Sequence, residues 1–427
     1  MEKLACYDAY LEILKEELIP AMGCTEPIAI ALAAARAREA LGDVPERCTA
    51  VVSGNIIKNA KAVTVPNTGG MKGIEASVAV GVVAGESKLM LEVLSQVTEP
   101  QIRETEAFLK SCPIHVVPAE GDRLLYIKIQ VEAKGHSAYC EIADAHTNII
   151  HVQKDEEVLF SAKEQAAGGT GGAHPDRRLL NVKDIIAFAD AVDVEDVKET
   201  IERQISFNSE VARRGLCEDW GAGVGKTLIK SGGDEVANRA KAVAAAAADA
   251  RMGGCSLPVV TVAGSGDQGL AASLPVIEYA KYLGASREEL YRALVVSSLT
   301  AVHQKTSIGK LSAFCGATSA GCGAAAGIAY LHGGRYEVIS HTISNTLAIC
   351  SGMVCDGAKP ACSAKIAAAV GAGLLGWQMY LNEERQFYPG EGLVGEDVEK
   401  TIANIGRLAA KGMRETDREI LNIMVGR

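Results

Sequence analysis

At 427 residues, with 48% hydrophobic but only 4% aromatic content, the chain is long enough for two or three domains and must build its core mainly from Ala, Val, Ile and Leu. A net charge of −10 and a pI near 5.5 argue against nucleic acid or an anionic membrane surface as partner. Twelve cysteines are too sparse here for a disulfide scaffold, and the start Met1-Glu-Lys-Leu-Ala-Cys lacks a basic stretch leading into an apolar run. The expectation is a cytoplasmic protein whose reduced thiols are free for metal or catalysis.

Helical spacing covers 7–20 and 26–41, broken at Pro20-Ala-Met-Gly-Cys-Thr, with Thr25 as N-cap and Glu26 and Pro27 in the first turn. The run from Thr49 to Asn55 predicts a strand, and Asn67-Thr-Gly-Gly-Met-Lys-Gly a turn-rich loop. Helices are expected at 74–84, 88–96 and 98–111. Between 113 and 160 the texture changes: 114–117, 124–133, 137–143 and 148–153 cluster or alternate β-formers between polar turns, predicting a small antiparallel sheet. The glycine-rich stretch Ala166–Pro175 reads as a linker. Beyond it helices are predicted at 183–190, 194–214, 225–252, 270–284, 286–298, 317–331, 335–352, 361–382 and 395–411. The fold class is therefore α+β, with a small antiparallel-sheet subdomain in an N-terminal region at 1–165 and a predominantly helical domain at 175–427. The charge-free stretches 311–331 and 338–355 approach membrane-spanning length, but their Gly, Ser, Thr and Cys content predicts buried helices instead.

Three cysteines stand out in Gly/Ala-rich, nearly uncharged segments: Cys315, Cys355 and Cys362. Cys355 falls where a helix should end, because Asp356-Gly-Ala-Lys-Pro is a turn, and Cys362 opens the next helix. On a straight helix the last two would stand ~10 Å apart. A reversal at Pro360 would bring them together, and a helix start would favour an anionic group beside Cys362. Three convergent thiols with no fourth partner suit an iron–sulfur cluster with one open iron, a Lewis acid rather than an electron carrier. Small buried hydrophobes and a zinc site remain open alternatives, although only Cys350-x4-Cys355 approaches zinc spacing. Cys24, in Gly23-Cys-Thr-Glu-Pro, precedes a helix N-terminus, a setting that lowers a thiol pKa. It is a candidate general base, nucleophile or fourth ligand, or else a structural thiol.

The segment Leu257-Pro-Val-Val-Thr-Val-Ala-Gly-Ser-Gly-Asp-Gln-Gly matches a strand–GxGxxG–helix dinucleotide pattern. No acidic residue ends the supposed returning strand and Pro275 interrupts the crossover helix, so a nest of backbone N–H groups at Ser265, Gly266 and Gln268, holding a substrate carboxylate, is preferred. Asn67 and Thr68, beside paired glycines, are candidates of the same kind. His146, in Asp144-Ala-His-Thr-Asn, admits a functional or a structural role.

Taken together, Gly23-Cys-Thr-Glu-Pro, Ser53-Gly-Asn-Ile-Ile-Lys-Asn, Pro66-Asn-Thr-Gly-Gly, Ala263-Gly-Ser-Gly-Asp-Gln-Gly, Phe314-Cys-Gly-Ala-Thr and Cys355-Asp-Gly-Ala-Lys-Pro-Ala-Cys resemble the L-cysteine desulfidase family, end to end. That family is related to the iron–sulfur L-serine dehydratase alpha chain. The resemblance implies an oxygen-sensitive [4Fe–4S] cluster on Cys315, Cys355 and Cys362 and a catalytic thiol at Cys24. Cys322 and Cys350 lie near enough to leave the ligand set open. The implied activity is β-elimination of L-cysteine to pyruvate, ammonia and sulfide without pyridoxal phosphate. The alternatives are an L-serine dehydratase with the same cluster and a non-catalytic Fe–S sensor. The expected partner is a small amino acid, with no nucleic acid and no membrane; a homo-oligomer is compatible with the sequence.

Overall fold

The computed structural model describes residues 4–162 and 175–426, apart from Asp122 and Lys310. Its N-terminal half runs α1 (Tyr7–Glu17), β1 (Pro20–Met22), α2 (Thr25–Leu41), β2 (Arg47–Val52), α3 (Gly54–Ala60), α4 (Gly73–Ala84), a 3-10 segment (Ser87–Glu92) and α5 (Glu99–Ser111). Five strands follow: β3 (Ile114–Pro118), β4 (Tyr126–Ala133), β5 (His136–Ala143), β6 (Ile149–Lys154) and β7 (Glu157–Ser161). The remainder is helical: α6 (Val182–Ala191), α7 (Val194–Cys217), α8 (Val224–Gly232) and α9 (Val236–Met252) lead to the short strand β8 (Pro258–Val260). After it come α10 (Gly266–Leu283), α11 (Arg287–Ile308), α12 (Gly316–Leu331), α13 (Tyr336–Cys350), α14 (Ala361–Leu381), α15 (Val398–Arg407) and α16 (Arg414–Val425). The α+β class with a helical majority matches the expectation.

The six-stranded sheet has the order β3-β2-β4-β5-β6-β7 and is mixed rather than antiparallel throughout. β2 pairs antiparallel with β4 but parallel with β3. The cause is the connection: α3, α4 and α5 carry the chain across before β3, and a crossover returns a strand parallel to the one it left. Ile127, Ile129, Val131 and Ala133 of β4 alternate inward and share a core with α2. α2 is Ala-rich because it is wedged between the sheet and α4. A Cβ on Gly81 of α4 would stand 2.4 Å from the Ala31 carbonyl oxygen, so only glycine allows that approach.

A second, larger core joins the helices from α6 onward. The chain ends cross between the two cores. Tyr10, Ile13 and Leu14 of α1 pack in the helical core, whereas Leu421 of α16 packs against the sheet's core. The expected linker at 166–175 falls, but for Pro175, outside the described residues. The predicted helix over 225–252 is two helices, interrupted at Gly233, whose φ of 72° leaves the helical region. Among the described residues no helix is long and apolar enough to cross a membrane.

One small element positions the site. β1 and β8 form an antiparallel ribbon, with Ala21 opposite Val259, and Thr261 donates its N–H to the Ile19 carbonyl at 2.9 Å. The ribbon brings Gly23-Cys24 against the turn at 263–268. It also corrects the dinucleotide pattern, because the strand before that turn belongs to no parallel sheet.

Candidate active site

Cys315 is the residue before α12, Cys355 lies beyond the end of α13, and Cys362 is the second residue of α14. Two backbone hydrogen bonds hold the first pair side by side: Cys355 N–H to the Ala313 carbonyl at 2.7 Å and Cys315 N–H to the Met353 carbonyl at 3.1 Å. The chain then reverses through 356–360, as the Pro360 turn predicted, and Cys362 returns beside them. All three thiols line one cavity of about 110 Å³. Cys322 and Cys350 do not line it; the Cys322 sulfur faces the Ile343 carbonyl inside the helix layer.

A hydrogen bond from Cys315 lowers the Cys355 thiol against the opposing effect of burial, helped by the charges of Lys58 and Lys305. The same bond, together with burial, raises Cys315. Burial pushes Cys362 up to about 12. Lys305 is itself drawn down by burial to about 8. Among the described residues no three His, Cys, Asp or Glu side chains converge tightly enough for one metal ion. Three free thiols spread along one cavity, with two buried lysines to offset thiolate charge, fit the separate corners of an iron–sulfur cluster.

Cys24, the residue before α2, stands on another wall of the cavity at 2% exposure. The lowered pKa expected from its helix position is corrected here. Burial raises the thiol well above its ordinary range, Arg251 opposes this only in part, and Asp267 and Glu26 add to the rise. The helix terminus is outweighed because the sulfur sits in an apolar cluster with Val63 and Met252.

Glu26 follows two residues later. Burial by itself would raise its carboxyl, but His146, the backbone and Asn59 outweigh burial and hold it down at about 2. Asn59 Nδ2 donates to Glu26 Oε1 at 2.9 Å and Thr25 Oγ1 to Oε2 at 3.1 Å. His146 Nε2 stands 3.7 Å from Oε1, within ion-pair reach but beyond a hydrogen bond. Arg251 Nη1 donates to Asp267 Oδ1 at 2.7 Å, forming a buried ion pair across from Cys24.

Of the sequence-derived binding candidates, Ser265 and Gln268 line the cavity, and Ser265 caps α10 by accepting the Gln268 N–H. Gly266 lies behind the wall: a Cβ there would meet Arg251 Nε at 2.5 Å. Asn67 and Thr68 do not line the cavity. Their side chains close their own loop, Asn67 donating to the Leu94 carbonyl at 2.8 Å and Thr68 to the Val65 carbonyl at 2.7 Å. Pro66 of that loop instead buttresses Gly23, where a Cβ would come within 2.7 Å of its ring.

Sequence reasoning missed Asn59, Arg251, Asp267 and Lys305, and took Glu26 for a helix-start residue only. A usable signal existed for two of them: Arg251 and Lys305 are cations in the last turns of helices, each following a run of small or apolar buried residues. A wider cavity of about 670 Å³, bordered by Glu16, Asp144 and Arg177, shares His146 and Gly264 with the thiol cavity and meets it there. A larger cavity of about 1200 Å³ lies over the sheet around Tyr126, Tyr139 and His151 and touches none of the thiols.

Comparison with known proteins gives a consistent result. Residues 88–422 match the family model described as serine dehydratase alpha chain. A UPF0597 protein of Desulfitobacterium hafniense is 54% identical, over 98% of this chain and 97% of the relative. UPF0597 proteins of Finegoldia magna and Aeromonas hydrophila are 48% and 40% identical, each over 97% of this chain and over 99% and 95% of their own lengths.

Proposed function

Because the chain belongs to the iron–sulfur serine dehydratase alpha chain family, we propose that it is a [4Fe–4S] lyase that eliminates sulfide from L-cysteine, giving pyruvate and ammonia. The observation that carries this reading is a single cavity bounded on one side by Cys315, Cys355 and Cys362 and on another by Cys24.

Cys315, Cys355 and Cys362 would hold the cluster, which when bound supplies Lewis acidity toward the leaving group at an iron without a protein ligand. Cys24, as thiolate, takes the α-proton of the substrate. Arg251 is the charge that favours the Cys24 thiolate over the buried thiol. The first turn of α10, with Ser265 and Gln268 on the cavity wall, points its N-terminal end at the site and favours the substrate carboxylate. Loss of the β-substituent leaves aminoacrylate, which tautomerises and hydrolyses in water. The family description supports L-serine as a second reading, since only the leaving group differs.

Anaerobic purification followed by an absorption spectrum, iron and sulfide analysis, and a pyruvate assay with both amino acids tests the proposal. A brown protein that releases pyruvate and sulfide from L-cysteine is the expected result. Pyruvate from L-serine alone would select the second reading, and a colourless protein inert to both would end both.

A further inference from the structure

The cavity walls carry charge in an uneven pattern. Arg251 is matched by Asp267, and Lys365 by Asp356. Lys305 has no carboxylate partner among the described residues: it lines the cavity at 6% exposure and faces the thiols of Cys355 and Cys315. A buried ammonium whose nearest anions are thiols, with no carboxylate bonded to it, keeps donors free for a further anion in the same cavity. Its surroundings say where. Lys305 feels the charges of Cys355 and Cys315, and the Gln268 carboxamide at the start of α10 lies so close to Gly316 that a Cβ there would meet it at 2.6 Å. The lysine and the α10 N-terminus therefore flank the same segment, 315–316.

The α2 wall has the opposite character. Glu26 is anionic and buried, and Asn59 Nδ2 donates to it. A carboxylate is acceptor-only, which fixes the orientation of the Asn59 amide and leaves its Oδ1 pointing elsewhere. That oxygen is buried and has no hydrogen-bond partner among the described residues, although Asn59 lines the cavity at only 7% exposure. An ionised carboxylate beside an unused buried acceptor is a seat for a donor-only cation such as a primary ammonium.

We propose that the cavity is a socket for an α-amino acid zwitterion, in which Glu26 and the Asn59 carbonyl oxygen take the α-ammonium and Lys305 takes the α-carboxylate. This deepens the lyase reading and rests on it for the reacting atoms, but it concerns binding and can be measured without turnover. His146, which stands beside Glu26 and borders both cavities, places this ammonium seat at the junction through which the wider cavity opens.

The test uses three unreactive probes on the cluster-loaded protein: L-alanine, propionate without the ammonium, and ethylamine without the carboxylate. Binding is read by ligand-observed NMR and by competitive inhibition of pyruvate release. Wild type should favour L-alanine over both fragments. Glu26→Gln should weaken L-alanine and ethylamine about tenfold or more while sparing propionate, and Lys305→Met should weaken L-alanine and propionate while sparing ethylamine. Asn59→Ser, which keeps a small polar group, should follow Glu26→Gln with a smaller loss and guards against misfolding of the first variant. Equal binding of all three probes by wild type and variants overturns the socket. Propionate binding by iron-replete Lys305→Met equal to that of wild type overturns the carboxylate arm. A wild type that binds L-alanine selectively yet eliminates from no amino acid would keep the socket and remove the lyase reading. Turnover of L-cysteine with an unchanged KM in Glu26→Gln would do the reverse.

Discussion

Cys355 and Cys24 are thiols of the same cavity, and their surroundings drive them in opposite directions. On the Cys355 wall a hydrogen bond from Cys315 and the charges of Lys58 and Lys305 outweigh burial and lower the thiol. On the Cys24 wall burial dominates, and Glu26 and Asp267 reinforce it against Arg251. Cys24 directly precedes a helix yet is raised, and Cys355 lies between two helices yet is lowered, so the local inventory of charge decides the outcome. One thiol is favoured as thiolate, as its proposed ligand role needs, although Cys315 and Cys362 beside it are raised, and the other is held protonated.

The sharpest way to break this comparison is to remove a member of the ligand wall. Cys355→Ser should lose the cluster, abolishing both the visible absorbance and all pyruvate release; retention of full iron content would transfer the ligand role to Cys322 or Cys350. Next in size is Cys24→Ser, which should cut turnover by about 10²–10⁴-fold, the usual range for a general base, with iron content and absorbance unchanged. Should the absorbance fall as well, Cys24 would belong to the ligand wall and the contrast between the walls would collapse.

How far the sequence discloses these walls differs between them. The proposed ligand wall is legible because three cysteines in small-residue, nearly uncharged segments near helix ends are a local pattern, and the Pro360 reversal can be read from one turn. Cys24 is equally visible as a residue, but its protonation is not, since Val63 and Met252 come from distant parts of the chain. Asn59 and Lys58 were hidden for a different reason. The run Ser53-Gly-Asn-Ile-Ile-Lys-Asn follows a strand and contains two β-branched residues, so the short helix α3 is not announced. The parallel pairing of β2 with β3 was invisible for the same long-range reason, because periodicity fixes strands but not partners. Asn67 and Thr68 show the converse error: glycine-rich motifs invite a ligand, yet their polar side chains are consumed in shaping the loop.

The Cys24 wall carries its own electrostatic signature in Glu26, and acid should expose it. The folded carboxyl lies at about 2 against an ordinary 4.5, so its contribution to stability is fully present above about 4.5 and is lost as pH falls toward 2. Glu26→Gln removes the titration. The stability difference between wild type and variant should therefore be on the order of 3 kcal/mol at neutral pH and shrink between 4.5 and 2. Urea midpoints measured across that range check the sign; a difference that grows on acidification would mean the carboxyl is buried without adequate partners.

The smallest expected effect is also the one that touches both walls. Consecutive residues of α3 serve them separately, Lys58 acting on Cys355 and Asn59 on Glu26. What holds α3 against the ligand loop is Gly357. Its φ is 95°, and a Cβ there would stand 2.2 Å from the Lys58 carbonyl oxygen, a backbone atom that cannot swing aside. Gly357→Ala should cost about 1–3 kcal/mol through the combined backbone strain and contact. Gly352→Ala, a few residues earlier with open space around it and no unusual φ, should stay within about 0.5 kcal/mol. Thermal unfolding of the two variants separates them. If the strain is relieved by moving α3, both walls should report it at once, as slower alkylation of Cys355 in the metal-free protein and weaker L-alanine binding. An effect on only one of them would show that Lys58 and Asn59 are positioned independently, and that the walls are coupled by nothing more than the cavity they share.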